Sequence, residues 1–266
     1  MQEYINTDRQ LHWLSQEITK VIRAYLPPKD DDSHTNLAFD ALGNRITGQW
    51  VSTQHGILLF VLELSPLQFV WVNRNQEVLK TIPLIGKNIR EVRSEIAESL
   101  SGFGLDTEPY EKKLHYEIPE YGFEDKPVLP IPETGIRLWA DFRALANTAC
   151  MQVSEYFQTP SPIRIWPHHF DTGIYIVPNE KTGIGFGLAM EDAMAGAPYF
   201  YIAGYPAQGK LHYNNLPHLQ HGKWIVGENW SGGILTLEEL LPVSYDQRED
   251  ILKIFLQQTL AWYLAQ

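Results

Sequence analysis

The side chains best suited to chemistry are concentrated in residues 166–173, whose sequence is WPHHFDTG. This segment brings two imidazoles and one carboxylate, those of His168, His169 and Asp171, close together along the chain. A histidine paired with a carboxylate can serve as a general acid or base, and the same two side chains can supply two ligands to a divalent metal ion. We therefore take this segment as the candidate site.

The backbone preference of the segment predicts which of these side chains face each other. Pro167 favours an extended backbone at Trp166, and if that conformation continues, alternation puts His169 and Asp171 on one face. We then expect His169 to be a metal ligand or a general base and Asp171 to ligate or orient it, with Glu228 as a reserve acid–base group. In the simpler interpretation, the histidines cap a strand end and Asp171 accepts backbone N–H bonds in a turn.

A metal site here requires ligands from elsewhere in the chain. Zinc sites usually have at least three protein ligands, so His168, His169 and Asp171 need a distant partner. The candidate partners are four histidines outside the segment, His34, His212, His218 and His221, together with Glu228. The metal hypothesis is one divalent ion held by a subset of these side chains.

Aromatic residues offer walls for a ligand pocket beside the same segment. Small-molecule sites commonly combine aromatic walls with a few polar groups. The predicted ligand-binding residues are Trp166, His168, Tyr199, Tyr201 and Trp230. Aromatic residues make up 12% of the chain, so packing in the core is the competing explanation for each ring.

Other catalytic signatures do not have the context that their chemistry needs. Residues 183–187, with sequence GIGFG, have glycine at every second position, as some phosphate-binding loops do. They lie in a strand-like run, however, and no helix follows at the place where such a loop requires one. Close packing between strands explains them better. We also find no serine nucleophile elbow and no phosphate-binding Gly-Lys-Ser/Thr motif.

Residues 1–104 have the pattern of a helix, several strands and a second helix. Apolar residues at helical spacing predict a helix from Asp8 to Leu26. Strands are predicted at 37–41, 46–51, 57–64, 69–72 and 78–82, and the continuously apolar run 57–64 indicates a central strand covered on both faces. Asn88 has the position of an N-cap for the helix that follows.

Residues 105–135 separate this half from the second one, 136–266. They are acidic and rich in proline, and only 114–118 alternate as a short strand would. Because so long a loop is uncommon inside a compact domain, we expect a linker or a flap over a site.

The second half, 136–266, repeats the order of the first. It has a predicted helix at 137–157, strands at 163–166, 173–177, 184–190, 199–203 and 224–226, and capping-box spacings at Thr236 and Ser244, the latter before a final helix. The predicted fold is therefore α+β, with antiparallel sheets and long flanking helices, and the shared order suggests two helix-strands-helix pseudo-repeats.

Composition and charge limit the classes of partner. The chain has 21 basic and 32 acidic residues, a formal charge of -11, which disfavours nucleic acid and anionic lipid as partners. Its only cysteine, Cys150, lies in an apolar helical pattern and predicts a buried thiol. Without a signal-peptide pattern or a long apolar run, we expect a cytoplasmic protein that does not enter the membrane.

A few of these residues also carry a resemblance to known sequences. They are Leu11 and His12 with Gln16, Lys20 and Val21, then His34 after a proline break, and Phe170 with Asp171. In these positions the chain resembles an uncharacterised family of bacterial proteins of unknown function, although the aromatic pair expected after His34 is absent. The resemblance implies a bacterial cytosolic α+β protein and no particular activity.

Two function hypotheses follow from the sequence. The first is a cytosolic protein that binds a small polar molecule at His168, His169 and Asp171, with metal-assisted hydrolysis as its enzymatic version. The second is a non-catalytic interaction protein that binds a protein partner, or another copy of itself in a homo-oligomer, through aromatic and acidic surfaces. The sequence does not decide whether the protein is an enzyme.

Overall fold

The computed structural model describes residues 1–178 and 182–265. Across these residues the chain forms helices and two antiparallel sheets, so the predicted α+β class is confirmed. The helices are α1 (Gln2–Tyr25), α2 (Ile89–Gly102), α3 (Glu108–Glu111), α4 (Glu133–Tyr156), α5 (Leu237–Leu240) and α6 (Tyr245–Leu264). The strands are β1 (Ala38–Asp40), β2 (Arg45–Thr47), β3 (Val51–Thr53), β4 (Gly56–Leu64), β5 (Leu67–Asn73), β6 (Val78–Pro83), β7 (Arg164–Trp166), β8 (Asp171–Ile176), β9 (Thr182–Ala189), β10 (Tyr199–Pro206), β11 (Lys223–Val226) and β12 (Ser231–Thr236).

The chain divides into two compact units. The first, which we call the α1 unit, comprises Asn6–Asp141 and Ile165–Phe170. The second, the α6 unit, comprises residues 1–5, 142–164 and the described residues from 171 onward. Residues 105–135 therefore fall inside the α1 unit. The candidate segment is divided between the units, with His168 and His169 in the first and Asp171 in the second.

The sheet of the α1 unit is built around the strand that the sequence predicts to be central. Its order is β1-β2-β4-β5-β6, and β3 pairs with β4 beside β2. Residues 58–62 of β4 are all buried because both faces of the strand are covered. Leu59, Val61, Val70 and Val72 share one cluster between β4 and β5, whose register pairs Val61 with Val70. The prediction for 57–64 is confirmed.

Helix α1 is buried on more sides than its apolar pattern predicts. Its apolar face includes Leu11, Leu14, Ile18, Val21 and Ile22, all fully or nearly fully buried. Polar side chains on other faces are also buried: Thr7, Asp8, His12, Ser15, Gln16, Glu17 and Thr19. Because buried polar groups need partners, this helix must be surrounded by other polar groups of the α1 unit.

Residues 105–135 form an ordered covering segment with little regular structure. They contain the short helix α3, and the strand predicted at 114–118 is absent. That prediction was wrong because Tyr116, in the middle of the run, directs its hydroxyl to Gln16 of α1 and the run has no neighbouring strand to pair with. The segment is anchored by buried Tyr110, Val128 and Ile131.

The α6 unit contains a second antiparallel sheet and the C-terminal helix. Within this unit the strand order is β11-β12-β10-β9-β8. Strand β12 was missed by the sequence analysis because Gly232 and Gly233 conceal its β pattern, yet it pairs with β10 through Phe200 and Leu235. The capping box at Ser244 is present, whereas the Thr236 side chain makes no cap bond, so the box predicted there is wrong.

Candidate functional site

The backbone is extended at Trp166, as predicted, but the extended conformation does not continue, and the WPHH part of the candidate segment forms a tight turn. Strand β7 ends at Trp166, whose carbonyl oxygen accepts backbone N–H bonds from His169 at 3.2 Å and Phe170 at 2.6 Å. Phe170 has a left-handed backbone with φ of 55°. The turn therefore replaces the alternation that was expected to align His169 with Asp171.

The two imidazoles lie beside each other at the surface of the α1 unit. Their ring centroids are 4.3 Å apart, and His168 is half-buried while His169 is exposed. The ring of His168 also lies 5.5 Å from that of Tyr116 and 6.4 Å from that of Trp166. His168 is thus part of an aromatic cluster, and His169 is on its solvent side.

Asp171 is the first residue of β8 in the α6 unit, and its carboxylate accepts a hydrogen bond from another strand of the same sheet. It is 9% exposed, and its Oδ2 accepts a hydrogen bond from the Tyr201 hydroxyl at 2.6 Å. Burial and then the charge of Asp171 raise the pKa of Tyr201 well above its ordinary value. Gly173 and Gly187, which are opposite each other in β8 and β9, leave room for that hydroxyl.

The glycine alternation at 183–187 accommodates tyrosine rings, as the strand-packing interpretation anticipates. A Cβ placed on Gly183 would overlap the Tyr175 ring, and one on Gly185 would lie 3.0 Å from the Tyr205 ring. One on Gly187 would lie 2.9 Å from the Tyr201 hydroxyl. The glycines therefore serve close approach within the sheet.

The remaining predicted residues are dispersed over both units. In the α6 unit, the Tyr199 hydroxyl donates a hydrogen bond to Asp192 at 2.7 Å, and the Trp230 ring covers Gly232. Glu228, His212 and His218 are exposed, and His221 is half-buried. In the α1 unit, buried His34 accepts a bond from the Lys29 backbone N–H at 3.2 Å. Among the described residues, no three His, Cys, Asp or Glu side chains are grouped as a metal site requires, so the metal hypothesis has no support here.

A stripe of polar residues on α1 provides a different site. Asp8, His12, Gln16 and Lys20 follow each other at intervals of four, which places them on one face of a helix. At the start of this stripe, Asp8 Oδ1 accepts a bond from the Trp139 indole at 2.7 Å. The next two residues bind the WPHH turn, and the last lies in a cavity.

His12 attaches the turn to α1 and has one defined tautomer in its neutral form. Its Nε2 is 2.9 Å from the Pro167 carbonyl oxygen, which can only accept, so Nε2 carries the hydrogen. Nδ1 is then the acceptor for the Tyr121 hydroxyl at 2.8 Å. The imidazole also stacks on Phe170, with centroids 5.0 Å apart.

Gln16 links the turn to a nearby cavity. Its amide nitrogen donates to the Pro167 carbonyl at 2.9 Å, and its amide oxygen accepts from the Tyr116 hydroxyl at 2.9 Å. Tyr116 has its ring against His168 on one side and lines the cavity on the other. The WPHH turn is therefore the support behind one cavity wall.

The cavity lies within the α1 unit and has a volume of about 700 Å³. Its walls come from α1, from α2 and from residues 110–118 of the covering segment. Four basic side chains line it, Lys20, Arg90, Arg93 and Lys113, against two acidic ones, Glu111 and Glu117. This excess of positive charge is opposite to the charge of the whole chain.

Buried Glu17 organises the basic residues beneath the cavity. Its Oε1 accepts bonds from Lys20 Nζ at 3.0 Å and from Arg93 Nε and Nη2 at 3.0 and 2.9 Å, and its Oε2 accepts from the Tyr110 hydroxyl at 2.7 Å. Burial alone would raise the pKa of Glu17, but Lys20 and Arg93 outweigh it and the pKa is lowered. The carboxylate is therefore ionised at neutral pH.

Sequence reasoning missed this site, although a signal for it exists. The residues it overlooked are Glu17, Lys20, Arg93, Tyr110 and Tyr116. The four-residue spacing from Asp8 to Lys20 is visible in the sequence, but the apolar face of the same helix already accounts for its fold, so the spacing alone does not indicate a site. Two of the partners of Glu17, Arg93 and Tyr110, are 76 and 93 residues away along the chain, so spacing alone does not bring them together.

Comparison with known proteins gives no relative. No family model, no curated protein and no solved structure matches the chain. None of the helices among the described residues is long and apolar enough to cross a membrane.

Proposed function

We propose that this protein binds a small anionic molecule in the cavity formed by α1, α2 and residues 110–118. The proposal keeps the small polar ligand predicted from the sequence and moves its site from His169 and Asp171 to the wall that Tyr116 and Gln16 build beside His168. Metal-assisted hydrolysis is not part of it.

The observation that supports the proposal is a basic cavity over a carboxylate that is already neutralised. Glu17 has one negative charge, and its two basic partners Lys20 and Arg93 have two positive charges. Arg90 and Lys113 add further positive charge at the exposed edge of the cavity. The four basic side chains outnumber the lining carboxylates of Glu111 and Glu117, and a cleft with an excess of one sign of charge concentrates ligands of the opposite sign.

The shape and the polar groups of the cavity also suit a small ligand. Its volume of about 700 Å³ is within the usual range for small-molecule sites. Arginine offers a planar fork that can bind a carboxylate or phosphate with two hydrogen bonds, and the side chain of Arg93 is 44% exposed beyond its contact with Glu17. The Tyr110 and Tyr116 hydroxyls donate to Glu17 and Gln16, and their oxygens can also accept hydrogen bonds from the rest of the ligand.

A binding screen tests the proposal directly. The full chain is titrated with inorganic phosphate, citrate and pyridoxine phosphate, and binding is followed by thermal shift and calorimetry at low and physiological salt. We expect saturable binding of at least one anion that weakens as salt is added, because exposed charges are screened. If none of these anions raises the melting temperature or gives heat of binding, the proposal is wrong.

Matched double variants locate the binding. Arg90→Gln with Lys113→Gln removes two exposed charges of the cavity edge, and Arg74→Gln with Lys80→Gln removes two exposed charges that do not line it. We expect the first pair to weaken binding about three- to tenfold, the scale of two exposed charge contacts, and the second to leave it nearly unchanged. Equal losses in both pairs would mean that the anion responds only to overall charge.

A further inference from the structure

Lys20 occupies an unusual position among the basic residues of the cavity. Its side chain is only 16% exposed, although it lines the cavity. Its Nζ is fixed by the hydrogen bond to Glu17 Oε1 at 3.0 Å. By contrast, Lys113 in the same cavity is exposed. The cavity therefore has one enclosed amine and one solvated amine.

The surroundings of Lys20 lower its pKa and so ease the loss of its proton. Burial lowers the pKa of Lys20, and Arg93 and Arg23 lower it further, while Glu17 opposes the change without reversing it. Arg93 is bonded to the same Oε1 atom as Lys20, so the carboxylate divides its attraction between two cations. A lysine that is desolvated and close to another cation is the usual form of an amine nucleophile.

We propose that Lys20 forms a reversible imine with a ligand that has an aldehyde or ketone close to its anionic group. This inference rests on the proposed function and names its ligand class. The carbonyl carbon would lie at Lys20 Nζ, while the anionic group is held by basic side chains nearer the cavity edge, such as Arg93 and Lys113. Tyr110, whose hydroxyl donates to Glu17 Oε2 at 2.7 Å, and Tyr116 also line the cavity.

The reaction needs no further reagent. Glu17 accepts the proton that the Lys20 ammonium releases, and the neutral amine forms a bond between Nζ and the carbonyl carbon. The carbonyl electron pair moves to oxygen, which takes a second proton from nitrogen to give the carbinolamine. Glu17 then returns its proton to the carbinolamine hydroxyl, which departs as water while the nitrogen lone pair forms the carbon–nitrogen double bond of the protonated imine. Glu17, already hydrogen-bonded to Nζ, is the acid and base within reach.

Borohydride trapping tests the inference on the full-length protein. The chain is incubated with pyridoxal phosphate, an aldehyde with a phosphate group, then reduced with borohydride, and the labelled lysines are identified by peptide mass mapping. We expect Lys20 to be labelled faster than Lys113, because an amine that is desolvated and close to another cation is the more reactive nucleophile. Labelling of Lys113 and other exposed lysines at rates equal to or above that of Lys20 would overturn the inference.

Two controls separate this inference from the proposed function. Lys20→Arg keeps the positive charge but cannot form an imine, so it should abolish the Lys20 adduct. Pyridoxine phosphate, which has no carbonyl, measures anion binding by the parent protein without imine formation. Pyridoxine phosphate binding without selective Lys20 labelling in the parent protein contradicts the imine alone. If the parent protein shows neither pyridoxine phosphate binding nor selective Lys20 labelling, the imine is contradicted. If none of the anions in the screen binds, the proposed function is contradicted as well. Because the mapping uses the parent protein, it remains decisive even if Lys20→Arg fails to fold.

Discussion

The two units place polar groups in their interiors in different ways. In the α1 unit, Glu17 binds two cations and a tyrosine drawn from three separate elements, and the group borders a cavity. In the α6 unit, Asp171 accepts a bond from Tyr201 across a sheet whose glycines leave space for the phenol. The first arrangement collects charge beside open space, and the second packs polar groups tightly between strands. The comparison teaches that density of chemical groups along the sequence is a poor guide to their density in space.

The largest effect is expected from removing the carboxylate of Glu17. Glu17→Gln leaves Lys20 and Arg93 without their common anion, and breaking a buried ion pair in this way typically costs about 3–5 kcal/mol of unfolding free energy. Urea denaturation measures the loss. The control is Glu111→Gln, which lines the cavity but is exposed, and we expect a change below about 0.5 kcal/mol. Similar values for the two variants would remove the distinction between Glu17 and a surface carboxylate.

The contribution of Glu17 should also depend on pH. Its pKa in the folded protein is below the ordinary value of 4.5, so its stabilising effect is complete above that value and is lost as pH falls through the lower, folded value. The difference in stability between the parent protein and Glu17→Gln should therefore shrink below about pH 4.5. Denaturation series from neutral to acidic pH measure it, and a difference that stays constant would show that Glu17 is not ionised when buried.

A smaller loss of stability is expected from filling the space that Gly187 leaves beside the Tyr201 hydroxyl in the sheet of the α6 unit. Gly187→Ala places a Cβ against the Thr172 carbonyl oxygen and 2.9 Å from the Tyr201 hydroxyl. Overpacking of this kind typically costs about 1–3 kcal/mol. Gly102→Ala is the matched control, because Gly102 ends α2 with nothing within 4 Å of an added Cβ. A harmless Gly187→Ala would mean that the sheet adjusts more easily than its packing suggests.

The smallest effect is expected at the residue that the sequence made most prominent. His169 is exposed, and its imidazole lies against the ring of His168. We expect His169→Ala to change stability by less than about 0.5 kcal/mol and to leave anion binding unchanged. Thermal shift and calorimetry measure both quantities. A loss of binding would return the candidate site to the WPHH turn.

Much of the fold was predictable because periodicity reports which faces of a helix or strand are buried. The central strand β4, the cap at Asn88 and the capping box at Ser244 were all predicted from local patterns and are present. Strand β12 was not, because two glycines supply no side chain that alternates. The second function hypothesis, an interaction protein, and the duplication of the two halves stay predictions.

The candidate site was less predictable because it depends on contacts between distant residues. The WPHH segment contains the expected side chains, but hydrogen bonds to the Trp166 carbonyl turn the backbone before Asp171 is reached. Glu17 and Lys20 are visible on one helix, yet only the fold brings Arg93 and Tyr110 to them. Local spacing describes a helix face and does not describe what other elements place against it.

Cys150 has a practical consequence for testing these ideas. It is the only cysteine of the chain and is fully buried, and burial, followed by the nearby charge of Asp171, raises the pKa of its thiol. Since maleimide dyes react with exposed thiolates, the native protein should take up little label. A cysteine introduced by substitution at the cavity edge, for example Lys113→Cys, would then carry a fluorophore at a single known position and report ligand arrival in real time.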